Sequence, residues 1–162
     1  MKGVDGMCYG QSDVELSDDF LTTFGSIKPD QHYNEIISSP LRRCVALADF
    51  FKFEYTIDAR LMEFNFGTWE MKRWSDIAED EFGNWHEDYV NGRPPEGESL
   101  LNMQKRVLGV LAELKVKYPQ GKVLLITHAG VIRIISSYIM NIRLEDLFSI
   151  KVGYGELKKL QF

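Results

Sequence analysis

The stretch KVLLITHAGVIRIISSYI, residues 122–139, constrains the fold of this chain more than any other. Its first part is a short, continuously apolar run, as expected of a strand covered on both faces rather than one face wetted. A polar turn follows, and then the apolar spacing lengthens to the helical period. A strand buried on both sides and leading straight into a helix belongs in a parallel sheet with helices packed above and below it. Two further branched runs, NEIIS (34–38) and YTIDARL (55–61), read as strands, and VGYGELKKLQF at the end reads as one or two edge strands. Helical spacing fills 17–26, 40–53, 73–82, 99–117 and 130–140, the fourth with Leu100, Met103, Val107, Leu111 and Leu114 at intervals of three and four. The expectation is one α/β domain over residues 1–162, a mainly parallel sheet flanked by helices.

Charge and cysteine content exclude several classes of function. With 24 acidic and 19 basic residues the net charge is −5, so the chain has no general attraction for nucleic acid or anionic lipid, and an anionic ligand needs a local site. No apolar run approaches the roughly 20 residues of a membrane span, and the first residues lack a secretion-signal pattern. Localisation is expected to be cytoplasmic. The two cysteines, Cys8 and Cys44, stand in no metal-ligand spacing and read as reduced thiols.

Three side chains are candidates for chemistry. In SSPLRRCVALADFF (38–51), Pro40 fits a first helical turn and Ser39 the N-cap before it. At 100° per residue Arg42 shares its side with Asp49 and Lys52 and is expected in solvent. Arg43 shares its side with Ala46, Leu47 and Phe50 and is expected to be buried, where a guanidinium needs an anionic partner. That partner is either a carboxylate of the chain or a bound phosphate. His128 ends the buried strand, at the ligand edge of an open parallel sheet; it is either a strand-end histidine bonded to a carbonyl or a group that meets a ligand. Glu63 follows the strand expected to end at Leu61 and is either an exposed loop acid or a proton donor on the same edge. Two helix N-termini, one guanidinium and one imidazole converging there would cradle a phosphate.

Four segments in this order, SSPLRRCVALA, ARLMEFNFGTWEM, RPPEGESL and THAGVIR, resemble the histidine phosphatase superfamily, which includes the cofactor-dependent phosphoglycerate mutases. The opening GMCYGQSDVEL is similar, more narrowly, to the adenosylcobalamin-pathway phosphatases that act on α-ribazole 5′-phosphate. The resemblance implies a phosphoglycerate mutase-like fold with a partly helical lid at about 64–98. It further implies hydrolysis of a small-molecule phosphate ester through a phosphohistidine, with no metal or organic cofactor. Carried over by position, Arg43 is a phosphate clamp, Glu63 the proton donor to the leaving group, and His128 the histidine that stabilises charge on the transferring phosphoryl group. The backbone N–H of Ala129 binds a phosphate oxygen, and Tyr9, Gly10, Gln11 and Ser12 form the loop that meets the substrate. Glu98 and Ser99 read first as capping of the long helix.

The sequence departs from that pattern in one respect. The family's first central strand ends in Arg-His-Gly or Arg-His-Thr, whose histidine is the nucleophile, and no such segment occurs here. His32 and His86 lie outside any Arg-His context, and a replacement nucleophile would need in-line placement within about 3.5 Å. The expected reading is an N-terminally shortened phosphatase whose turnover is lowered by several orders of magnitude. The alternative is a non-catalytic protein that holds a phosphate ligand on Arg43 and His128. A lost central strand also leaves a slot, so either the strands pair differently or a second copy fills it, and a homo-oligomer is expected.

Overall fold

The computed structural model describes residues 1–161. In chain order the elements are α1 (Phe20–Ser26), β1 (Glu35–Ser38), α2 (Arg42–Phe50), β2 (Thr56–Ile57), α3 (Glu79–Glu87), α4 (Leu100–Lys117), β3 (Val123–Ile126) and α5 (Ala129–Met140). The three strands form one parallel sheet in the order β2-β1-β3, with Ile37 opposite Thr56 on one side and Leu125 on the other. This is the α/β architecture that the apolar strand with its following helix predicts.

Alternation along the strands sorts the core into two layers. Ile37, Val123 and Leu125 pack with the apolar stripe of α4, Met103, Val107, Val110, Leu111 and Leu114, and with Val131, Ile134 and Ile135 of α5. Ile36, Leu124 and Ile126 turn the other way, onto Cys44 and Ala48 of α2. The sheet therefore holds α2 against one face and α4 with α5 against the other. Both strand-to-helix turns, after β1 and after β3, consequently emerge at the same carboxyl edge. Ser99 caps α4 by accepting the N–H of Asn102, as the GES motif suggests.

Several elements differ from expectation. Helix α2 begins at Arg42 with Leu41 as its N-cap, so Ser39 and Pro40 precede the helix, and Ser39 is freed for the site. The strand expected over 55–61 is only Thr56–Ile57; a 3₁₀ turn over Ala59–Leu61 replaces its end, with Asp58 accepting the N–H of Arg60. Local side-chain capping there outcompetes the sheet. The helix expected over 73–82 is displaced: a 3₁₀ turn spans Trp74–Asp76, and α3 starts at Glu79, where three acids occupy the first turn. Residues 152–161 form no strand, and Phe162 lies outside the described residues.

The reason for the last difference lies at β3. The carbonyls of Lys122 and Ile126 accept N–H groups from the β1 side, so alternation points the peptide groups of Val123, Leu125 and Thr127 to the opposite edge. No strand occupies that edge among the described residues. A cavity of about 580 Å³ separates it from residues 152–157, too wide a gap for the tail to hydrogen-bond to the strand. The expected slot therefore stands open.

Candidate active site

Each side chain of the site is placed by an element end. Arg43 sits in the first turn of α2, His128 is the N-cap of α5, and Glu63 follows the 3₁₀ turn after β2. Arg42 is exposed and Arg43 is buried, as the helical phase requires. Arg43 Nε donates to His128 Nδ1 at 3.1 Å, Nη1 to the Ser12 carbonyl at 3.0 Å and Nη2 to the Gly10 carbonyl at 2.6 Å. Its guanidinium also lies 5.6 Å from the centre of the Tyr9 ring. The partner of the buried guanidinium is thus neither alternative that the sequence offers: main-chain carbonyls and an imidazole hold it.

His128 is buried, and its Nε2 lies 2.7 Å from Ser39 Oγ. Because Nδ1 accepts from Arg43, the ring proton belongs on Nε2, which donates to Ser39. Burial, with Arg43 and Arg106 nearby, pushes the imidazole down to about 3, so it is neutral at ordinary pH. Cys44 Sγ packs beneath the ring at 3.5 Å from Nε2, and burial pushes that thiol up to about 12.

Glu63 accepts the N–H of Phe64 at 2.9 Å through Oε1 and the N–H of Gly130 at 3.1 Å through Oε2. The N-terminus of α5 is therefore met by a carboxylate. That of α2 is met by another, since Asp13 Oδ1 accepts the Arg42 N–H at 2.8 Å. The expected pair of open helix ends is corrected accordingly: both ends already hold an acid of the chain. Ala129, first residue of α5, keeps an N–H with no partner within its helix and lines the cavity beside Arg43, Glu63 and His128.

The loop Tyr9–Ser12 closes over this group. Gln11 Nε2 donates to the Glu63 carbonyl at 2.9 Å, and the Tyr9 hydroxyl pairs with that of Tyr154 at 2.8 Å; burial and that pairing push the Tyr9 phenol up. Gly10 and Gly130 permit the closeness. A Cβ at Gly10 would lie 2.2 Å from the Phe64 carbonyl oxygen, and one at Gly130 would lie 2.1 Å from Glu63 Oε1. The structure thus brings together Tyr9, Gly10, Gln11, Ser12, Arg43, Glu63, His128 and Ala129, while His32 and His86 stand exposed and away from the cavity.

Sequence reasoning missed the residues that hold these in place. Glu70 accepts the N–H groups of Gln11 (2.9 Å), Ser12 (3.0 Å) and Phe66 (3.1 Å) and the Ser12 hydroxyl (2.6 Å). Arg106 pairs with Glu98 at 2.7 Å and donates to the carbonyls of Arg60, Met62 and Glu63, fixing the approach of Glu63. Glu98 is thus an ion-pair partner that also takes the Asn65 N–H, whereas Ser99 alone caps the helix. One signal was available: Arg106 interrupts the apolar stripe between Met103 and Val110, where only a paired cation is tolerated.

Comparison with known proteins agrees with this arrangement. The sequence profile of the Histidine phosphatase superfamily (branch 1) matches residues 3–162. A Hydrogenobacter thermophilus protein assigned as a phosphoserine phosphatase is 33% identical over 132 residues, 77% of this chain and 64% of that protein. The adenosylcobalamin/alpha-ribazole phosphatase of Escherichia coli is 26% identical over 98 residues, 59% of this chain and 48% of that protein. The chain thus spans only about half to two thirds of the length of these curated relatives. The crystal structure of the alpha-ribazole phosphatase from Shigella flexneri superposes with a TM-score of 0.82 at 23% identity, covering 94% of this chain and 80% of that one, which establishes the fold. A parallel α/β sheet with arginine and histidine meeting at its carboxyl edge defines the phosphoglycerate mutase-like class. Within that class the chain belongs to the histidine phosphatase superfamily.

Proposed function

We propose that this protein is a phosphomonoesterase of the histidine phosphatase type whose substrate is α-ribazole 5′-phosphate. The observation that carries the reading is the 3.1 Å contact between Arg43 and His128, two groups from separate strand-to-helix turns. The E. coli and S. flexneri proteins named as alpha-ribazole phosphatases support the choice of substrate.

A guanidinium has five N–H donors, and Arg43 commits three of them to the chain. The other two, with the Ala129 N–H, are the donors for phosphate oxygens. His128, neutral and protonated on Nε2, turns that N–H from Ser39 to an oxygen of the phosphoryl group and stabilises charge as it spreads there. Glu63, beside the start of α5, delivers a proton to the departing alkoxide. Arg43, the Ala129 N–H, His128 and Glu63 supply binding, polarisation and proton transfer.

One observation favours a second reading. His128 is the single histidine that lines the cavity among the described residues, whereas a phosphohistidine route needs another in line with the leaving oxygen. On this reading the chain holds a phosphate ester without cleaving it. Calorimetric titration with inorganic phosphate, together with hydrolysis of p-nitrophenyl phosphate, separates the two. Hydrolysis that vanishes in His128→Ala supports the enzyme, and binding without hydrolysis supports the second reading. Absence of both in the wild-type chain defeats each.

A further inference from the structure

A second cavity, of about 420 Å³, adjoins the first and shares Tyr9, Glu63 and Arg133 with it. Away from that junction its wall is aromatic: Phe66, Trp74, Phe82, Trp85, Tyr89 and Phe148. The rings brace one another, Phe66 against Trp74 at 5.3 Å, Trp74 beside Trp85 at 6.4 Å with planes 28° apart, and Tyr89 against Phe148 at 5.5 Å. Both charged residues of the lining, Glu63 and Arg133, stand at the shared end. Arg133 spends Nε on the Ile150 carbonyl and enters no ion pair among the described residues. The buried indole N–H of Trp85 finds no acceptor among the described residues, an unmet donor in this wall.

We infer that this aromatic cavity is the leaving-group subsite, and that it selects phosphate esters whose alcohol carries a flat, uncharged aromatic ring over small polar ones. The inference rests on the phosphatase reading, because it fixes the phosphate at Arg43 and His128 and so directs the rest of the ester through the junction. An amino-acid or glycerate phosphate would carry its charged carboxylate against indole and phenyl faces and lose water there with no partner in exchange. A flat ring would stack between those faces and displace poorly held water. The volume suits a bicyclic ring. Five of the six aromatic residues come from the segment at 64–98, which gives that segment the work of reading the leaving group.

The test compares 1-naphthyl phosphate, phosphoserine, inorganic phosphate and free benzimidazole by calorimetry and by quenching of tryptophan emission. Naphthyl phosphate is expected to bind at least about tenfold more tightly than phosphoserine and to quench emission. In the Trp74→Ala/Phe148→Ala double variant that preference falls to within about threefold while inorganic phosphate affinity is unchanged. Phe148→Ala alone, at a position 54% exposed, supplies the comparison if the double variant does not fold. Equal affinity for the two esters in a chain that binds phosphate overturns the subsite and leaves the phosphatase reading standing. Benzimidazole binding with quenching but no affinity for any phosphate supports the aromatic site and overturns the phosphatase reading instead.

Discussion

Arg43 and His128, 85 residues apart in the chain, meet through a single Nε–H to Nδ1 hydrogen bond of 3.1 Å. That bond fixes which nitrogen carries the ring proton, and it sets a cation beside an imidazole that burial already keeps neutral. The consequence is a histidine that donates from Nε2 at any pH where the protein is folded well.

Stability should fall in acid because of this residue. His128 has an ordinary value of 6.5 and is pushed down to about 3 in the folded chain, so between those values the unfolded chain binds a proton that the folded one refuses. The contribution is complete above about 6.5 and is lost as pH falls toward 3, at no more than about 1.4 kcal/mol per pH unit. Thermal unfolding of the wild type and of His128→Gln between pH 4 and 7 measures it. The variant should show the shallower dependence; parallel curves would contradict the assignment.

Removing the guanidinium strands three acceptors. Arg43→Met leaves the carbonyls of Gly10 and Ser12 and the His128 Nδ1 without donors in a buried place, which costs about 2–4 kcal/mol. Arg43→Lys should recover little, since one ammonium on a flexible stem does not reproduce the fork that spans two carbonyls and a ring nitrogen. Urea denaturation gives the figure. A lysine variant as stable as the wild type would show that the fork geometry is irrelevant.

Glu70 latches the substrate loop. In Glu70→Gln one carboxylate oxygen becomes an amide NH₂ that faces N–H donors, so the bonds to Gln11, Ser12 or Phe66 are lost in part. A loss of about 1–3 kcal/mol is expected, with faster hydrogen exchange at the Gln11 and Ser12 amides and weaker inorganic phosphate binding. Unaltered exchange at those two amides would mean that the loop is held by something else.

Both thiols should be inert in the native chain. Burial, with Glu70 close by, pushes Cys8 up to about 12, and burial does the same to Cys44, so almost no thiolate exists at pH 8. Iodoacetamide should modify neither until denaturant is added and both thereafter. Rapid labelling of Cys44 in the folded protein would show that the space under His128 opens.

The sheet, α4 and α5 were legible because hydrophobic period reports burial, and burial is what shapes those elements. Arg43, Glu63 and His128 were legible because their motifs place them at strand-to-helix turns. What was hidden is the partner of each. Nothing local tells Arg43 that its acceptors will be the carbonyls of Gly10 and Ser12, or tells Asp13 that it will cap α2; those pairings come from loop paths that only the finished packing defines. The edge strands at the end of the chain failed for a related reason: VGYGELKKLQF has strand composition, but a strand also needs a neighbour within hydrogen-bonding reach.

Gly10 and Gly130 sit where main chain and carboxylate approach so closely that a single added carbon would overlap them at 2.2 and 2.1 Å. Charged members of the site can each be exchanged for a side chain that fits, at some loss of chemistry, whereas these two positions have no substitute of any size. In a saturation library screened only for folded protein, the two glycines should be the first positions emptied, and the tolerance map of this chain would outline its reactive centre before any substrate was known.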